Sequence, residues 1–143
     1  MKQTVKQIIT LTLALLCIVS LAACQKNTVD AAGLWENATH RGDREFGKGE
    51  TTVTVEVKAG EDQVTFTLHT DKSTVGEALL EHELIAGEQG AYGLYVKVVN
   101  GITADYDVDQ SYWAFYINGE MAMTGVDMTQ ITDGAVYKLE YTK

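Results

Sequence analysis

Tyr112–Trp113–Ala114–Phe115–Tyr116–Ile117–Asn118–Gly119 is the most aromatic run of the chain, and it ends in a dipeptide suited to a tight turn. Asn and Gly both tolerate the positive φ that a two-residue type I′ hairpin requires at its central positions. The six residues before the turn alternate faces if extended. Trp113, Phe115 and Ile117 then point one way, and Tyr112, Ala114 and Tyr116 the other. The first row is expected in the core. For Trp113 a second reading stands beside it, because a large flat ring also makes a ligand platform. The second row is a candidate contact surface, since a sheet covered on one side leaves its other face open.

Upstream, Val53, Val55 and Val57 alternate with Thr52, Thr54, Glu56 and Lys58. After Ala59–Gly60–Glu61–Asp62, the row Val64, Phe66, Leu68 alternates with Thr65, Thr67, His69. Two such strands around a short Gly-containing loop predict a hairpin with one apolar face. Thr74 and Glu77 have the spacing of a capping box, which predicts a helix from about residue 75 to 83 with Gly87 as its stop. Glu88–Gln89–Gly90–Ala91 reads as a loop, and Gly93 to Val99 as a strand. Asn100–Gly101 marks another hairpin. Glu120 to Met123 is expected as a short return strand and Val136 to Tyr141 as the last strand. Hairpin, helix and further strands predict an α+β domain. A β-grasp-like mixed sheet with one covering helix satisfies this order, its last strand returning beside the first.

The N-terminal residues have a different character. Lys2 and Lys6 precede an apolar segment, Ile8 to Leu21, that reads as a secretory signal. Leu21–Ala22–Ala23–Cys24 resembles the bacterial lipobox. That resemblance implies cleavage before Cys24 and acylation of it, hence an extracytoplasmic protein anchored to the bacterial cell membrane by lipid. The expected organisation is a signal peptide over 1–23, a flexible tether over 24–51, and the domain over 52–143. Trp35 and Phe46 stand out in the tether as the apolar exceptions, either packed back on the domain or incidental. Losing residues 1–23 removes Lys2 and Lys6 and no acid, which takes the net charge from −9 to −11. Such a balance argues against nucleic acid, whose binders carry basic faces. Of the two cysteines, Cys17 leaves with the signal and Cys24 carries lipid, so stability is expected from packing without disulfides.

Thr74–Val75–Gly76–Glu77–Ala78–Leu79, Asn100–Gly101, the aromatic run with its Asn118–Gly119, Thr124–Gly125–Val126–Asp127 and Asp133–Gly134–Ala135–Val136–Tyr137 together carry a likeness. Over about Val53 to Thr142 the chain resembles the C-terminal domain of transcobalamin and intrinsic factor, and the bacterial surface lipoproteins that share it. The resemblance implies a β-grasp-like domain that faces cobalamin or another corrinoid. By position it places the ligand-facing loop at Tyr92–Gly93–Leu94–Tyr95 and the Trp-bearing segment at Trp113–Ala114–Phe115–Tyr116.

Tyr92, Tyr95, Tyr112, Trp113, Tyr116 and Met121 are therefore the candidate ligand-binding residues. Clustered tyrosines give contact area at low entropic cost, though an ordinary sheet face also favours them; Met121 with Met123 either offers a soft apolar rim or fills core gaps. Asp105–Tyr106–Asp107–Val108–Asp109 begins like a calcium loop, but Gln110 stands where Gly is needed and Tyr116 where Glu is. The three histidines share no metal-ligand spacing. Without a nucleophile motif or a phosphate-binding loop, the expectation is a binder and not an enzyme, with no cofactor. The expected function is capture of a small molecule, with a corrinoid as the candidate ligand, for an uptake system that includes a membrane transporter. The alternative is a surface module that adheres to protein or glycan.

Overall fold

The computed structural model describes residues 31–143. The stretch expected to be a signal peptide, and Cys24, lie outside the described residues. Strands β2 (Thr51–Ala59) and β3 (Asp62–Thr70) form the predicted hairpin, with Val55 opposite Phe66 and Val53 opposite Leu68. Their apolar rows are buried and their Thr, Glu and Lys rows face outward, as period-two alternation dictates. Strand β9 (Val136–Thr142) returns to the middle and runs parallel to β2, with Val55 beside Tyr137 and Val57 beside Leu139. On its other side β9 pairs antiparallel with β7 (Tyr112–Ile117), which turns through Asn118–Gly119 into β8 (Glu120–Met121). With β1 (Arg44–Gly47) at the far edge, the order β1-β3-β2-β9-β7-β8 is a mixed sheet of the β-grasp kind. Asn118 and Gly119 have φ of 49° and 85°, and Asn100 and Gly101 have 50° and 81°, as type I′ turns require.

One main helix covers the sheet. α1 (Ala31–Leu34) is a single turn near the N-terminus, and α2 (Val75–Glu81) is that covering helix. Its capping box is formed in full: Thr74 Oγ1 accepts from Glu77 N–H, and Glu77 Oε2 accepts from Thr74 N–H. Val75, Ala78 and Leu79 pack into the core. Gly76 allows close approach, because a Cβ there would lie 2.9 Å from the backbone of Asp127. The helix stops earlier than Gly87: it ends at Glu81, and Glu83 just beyond its cap takes a positive φ of 55°. Gly87 instead lies in β4 (Ile85–Gly90), so the stretch expected as a loop over 88–91 is mostly strand. Its two glycines hid the strand: a Cβ on Gly87 would collide with the Tyr95 carbonyl across a bulge. With β5 (Gly93–Val99) and β6 (Ile102–Thr103), β4 forms a second, three-stranded sheet. It joins the helix in covering the core through Ile85, Val99 and Ile102.

The tether expectation is corrected from about residue 34 onward. Trp35 begins a 3₁₀ turn, lies in the core, and donates its indole N–H to the Ala59 carbonyl at 2.9 Å. Thr39 N–H reaches the Asn100 carbonyl, and His40 exchanges two bonds with the Asn100 side chain. Strand β1 (Arg44–Gly47) then pairs parallel to β3, with Phe46 edge-on to Phe66. A large ring with one donor, buried and satisfied, stabilises the docked segment beyond what a solvated linker could gain.

Candidate functional site

The six candidate residues separate into three places. Trp113 is 8% exposed, on the inner face with Phe115, and meets Tyr141 edge-to-face at 5.7 Å. A ring in that position packs the core and offers no platform to a ligand, so Trp113 leaves the candidate site.

Tyr112 and Tyr116 lie on the outer face of the six-stranded sheet, and Met121 is the cross-strand partner of Tyr116. That face is crowded with charge. Lys138 Nζ sits 4.3 Å from the Tyr116 ring centroid. Glu140 accepts from Lys138 at 2.8 Å and from Lys58 at 3.0 Å. These hydrogen bonds, Lys138 first, hold the Glu140 carboxyl below its usual range. The same carboxylate raises Lys138 above the usual amine range. Tyr116 is thus half-buried beneath an ammonium, and a flat ligand would have to displace it.

Tyr95 points out of the second sheet, opposite Leu94 and Val96, which pack on the core. The two sheets enclose that core between them, so Tyr95 cannot join the Tyr112 face. Tyr92 occupies the two-residue turn between β4 and β5 and is fully exposed. This turn is held from below. Asp127 Oδ2 accepts from Leu94 N–H at 2.9 Å, and a Cβ on Gly93 would fall 2.7 Å from the same oxygen. Gly93 also has φ +107°, a conformation that only glycine adopts without strain. The Asp127 loop therefore seats directly under the Tyr92 turn.

The same loop brings in methionines. Met128 follows Asp127 and is 66% exposed; Met123 is 97% exposed and Met121 61%. Thr124 and Thr129 join hydroxyls at 3.0 Å, and Met128 N–H donates to the Gly125 carbonyl, so the chain folds back between Met123 and Met128. Met121 and Met123 line one open cleft of about 480 Å³ with Ile117, Asn118, Glu120 and Ala122. Every methionine among the described residues is exposed on this connection. Exposed apolar side chains that line one cleft, as Met121 and Met123 do, suit a contact surface, and methionine adapts to irregular partners. Sequence patterning selected Tyr92 and Met121 and missed Met128. Its signal was present as three methionines within eight residues of an otherwise polar connection.

The acidic run became local structure. Asp105 caps the short helix α3 (Tyr106–Asp109) by accepting from Asp107 N–H. Asp109 accepts from Ser111, its largest stabilising partner, and from Lys143, which hold it below the usual carboxylate range. Among the described residues, no three His, Cys, Asp or Glu side chains converge as a metal site.

Fold and site together define a β-grasp-like α+β domain with a soft apolar end built from turns. A family described as a domain of unknown function, DUF4430, matches residues 72–143, and the chain belongs to that family. Among solved structures, one is a protein from Ruminococcus gnavus described as metal binding. It is 35% identical, with a TM-score of 0.63, over 66% of this chain and 98% of that one. Another is haptocorrin in complex with Cbi, at 19% identity and a TM-score of 0.50, over 68% of this chain and 26% of haptocorrin. The likeness to haptocorrin is one of fold. No curated protein matches the chain.

Proposed function

We propose that this chain is a lipid-anchored module outside the cytoplasm that captures a small molecule for uptake through a membrane transporter, without catalysis. The finer proposal is a corrinoid, or another ligand with a broad flat face. One observation carries the reading. Tyr92 stands fully exposed on a turn braced by Asp127, whose chain neighbour Met128 is exposed as well. Tyr92 also falls in the stretch that, by resemblance to the vitamin carriers, would face the ligand. A turn whose backbone is already held loses little freedom on binding, and the exposed Met128 adds area that moulds to a partner. Haptocorrin's fold and its bound ligand support the class of ligand. A metal-bearing macrocycle would also suit a relative described as metal binding.

The alternative, adhesion to protein or glycan through Tyr112 and Tyr116, is weakened by Lys138 over Tyr116 and by the charges around it. The test is titration of the chain from Gln25 onward with cobinamide and cobalamin, followed by visible absorbance and heat. Saturable binding is expected. Tyr92→Ala should weaken it at least tenfold, about 1.4 kcal/mol, while Tyr112→Ala leaves it unchanged. Silence of both ligands at millimolar concentration removes the corrinoid. Equal loss in Tyr112→Ala moves the site to the other face.

A further inference from the structure

We propose that the domain presents one particular end to the lipid bilayer, the end where α3 meets the last residues of β9, and turns Tyr92 away from it, an orientation that rests on the lipid anchor proposed for Cys24. The strand registers define the two ends. At the first, Trp35 bonds to the carbonyl of Ala59, the last residue of β2 before its turn. β9 runs parallel to β2 with Glu140 beside Lys58, so its last residues reach the same level, and Thr142 stands opposite Tyr112 at the start of β7. Lys143 meets Asp109 at 3.2 Å, which brings α3 to this end as well. At the second end, β3 finishes at Thr70, opposite Thr51, and the chain enters α2. There Gly76 N–H donates to the Val126 carbonyl at 2.8 Å, and Asp127, the next residue, holds the Tyr92 turn.

The docking of Trp35 decides which end meets the lipid. Leu34 packs on the core too, so the domain begins there and not at residue 52. Seven residue steps lead from Cys24 to Ala31, at most about 25 Å. The single turn α1 adds about 6 Å. β2 alone, nine residues long, gives the domain a length of about 30 Å. Touching the bilayer with the Tyr92 end would lift Trp35 by that length and draw the whole connection taut. A connection running on to residue 51 would have left either end free to approach.

The chemistry of the first end suits a lipid–water boundary. α3 buries none of its four residues, and it exposes Tyr106 and Val108, the latter by 81%. A tyrosine ring is apolar with one wet edge, which fits the headgroup level. Two such side chains hold a membrane weakly by themselves; a short anchored connection supplies the effective concentration that makes them count. Glu61, Asp62 and Asp107 are exposed at the same end, so anionic headgroups repel it and neutral ones do not.

The experiment uses the full chain, processed in a bacterial host and reconstituted into phosphatidylcholine vesicles that carry a headgroup spin label. Val108→Cys and Tyr92→Cys each receive a thiol-linked fluorophore. Removal of Cys17 and acylation of Cys24 leave no competing thiol. The label at 108 should be quenched by the spin-labelled lipid at least twofold more than the label at 92. Inserting twenty Gly and Ser residues between Asn27 and Thr28 should shrink that contrast, because the reach no longer limits the domain. Equal quenching at the two positions, or a contrast the insertion leaves untouched, overturns the proposal. So does pairing of two copies through the 108 position without lipid quenching, which would give that end to a dimer. The intact mass separates the two failures: a Cys24 without acyl chains strikes the anchor and the orientation together, whereas an acylated Cys24 with an unquenched label at 108 strikes the orientation alone.

Discussion

Two surfaces of this domain display tyrosine, and their surroundings give them opposite meanings. On the outer face of the six-stranded sheet, Tyr116 lies under Lys138 in a lattice of Lys58, Glu140 and Lys138. At the turn end, Tyr92 has no such cover, and the Asp127 loop beneath its turn exposes Met128. A strand must place something on its solvent face, and an aromatic there raises strand propensity without any partner. A two-residue turn has no comparable need for a fully exposed ring. An exposed tyrosine therefore says more about binding on a braced turn than on a sheet whose polar neighbours already engage it.

The sharpest contrast sets a buried ring against the exposed one. Trp35→Ala should cost about 3–5 kcal/mol, as for other buried aromatics, since it also strands the Ala59 carbonyl. Tyr92→Ala should change stability by no more than about 0.5 kcal/mol yet carry the loss of ligand. Urea unfolding of the two variants checks both. If Trp35→Ala unfolds like the parent, the N-terminal segment is a passenger and the domain begins near residue 51 after all. The Asp127 brace comes next. Asp127→Ala should cost about 1–3 kcal/mol by leaving the Leu94 N–H without its acceptor. It should also speed hydrogen exchange at Leu94 and weaken ligand binding by loosening the turn. Unchanged exchange at that amide would mean that Asp127 does not hold Tyr92.

These contrasts also mark what the residues could reveal unaided. The β2–β3 hairpin, the capping box at Thr74 and both Asn-Gly turns were legible because each depends on residues close in sequence. The inward row of Trp113, Phe115 and Ile117 followed from alternation alone. β1 was not legible. Arg44–Gly47 holds one apolar residue, and its strand character comes from a parallel partner some twenty residues away. β4 was masked by Gly87 and Gly90, which read as loop until the Tyr95 carbonyl is seen to need the space. The candidate site was half legible. Tyr92 and Met121 could be chosen as types, but periodicity has no purchase on a loop, so Met128 emerged only when Asp127 was found beneath Gly93.

On the sheet face the expected effects are smaller. Tyr116→Ala removes a ring beneath an ammonium and should cost about 0.5–1 kcal/mol, with ligand affinity unchanged. A drop in affinity comparable to that of Tyr92→Ala would erase the distinction between the two surfaces.

The smallest effect is a dependence on pH that belongs to the sheet face alone. Glu140 is held below its ordinary value of 4.5 by Lys138 and then Lys58, and Lys138 is held above 10.5 by Glu140. A carboxyl depressed in the fold binds fewer protons there than when unfolded, so its stabilisation is full above about pH 4.5 and fades as pH falls through the lower folded value. A raised amine mirrors this: its contribution is full below about pH 10.5 and fades as pH rises through the higher folded value. Between those limits the triad should contribute a constant, modest amount, discounted because both side chains are partly solvated. Glu140→Gln should therefore flatten the acid limb of a urea midpoint plotted against pH, and leave ligand affinity at pH 7 untouched. The turn end is built from Tyr92, the exposed Met128 and a carboxylate, Asp127, bonded to the Leu94 backbone. If its ligand affinity moved with Glu140→Gln, the two surfaces would have to be coupled through β7, and the separation drawn between them would fail.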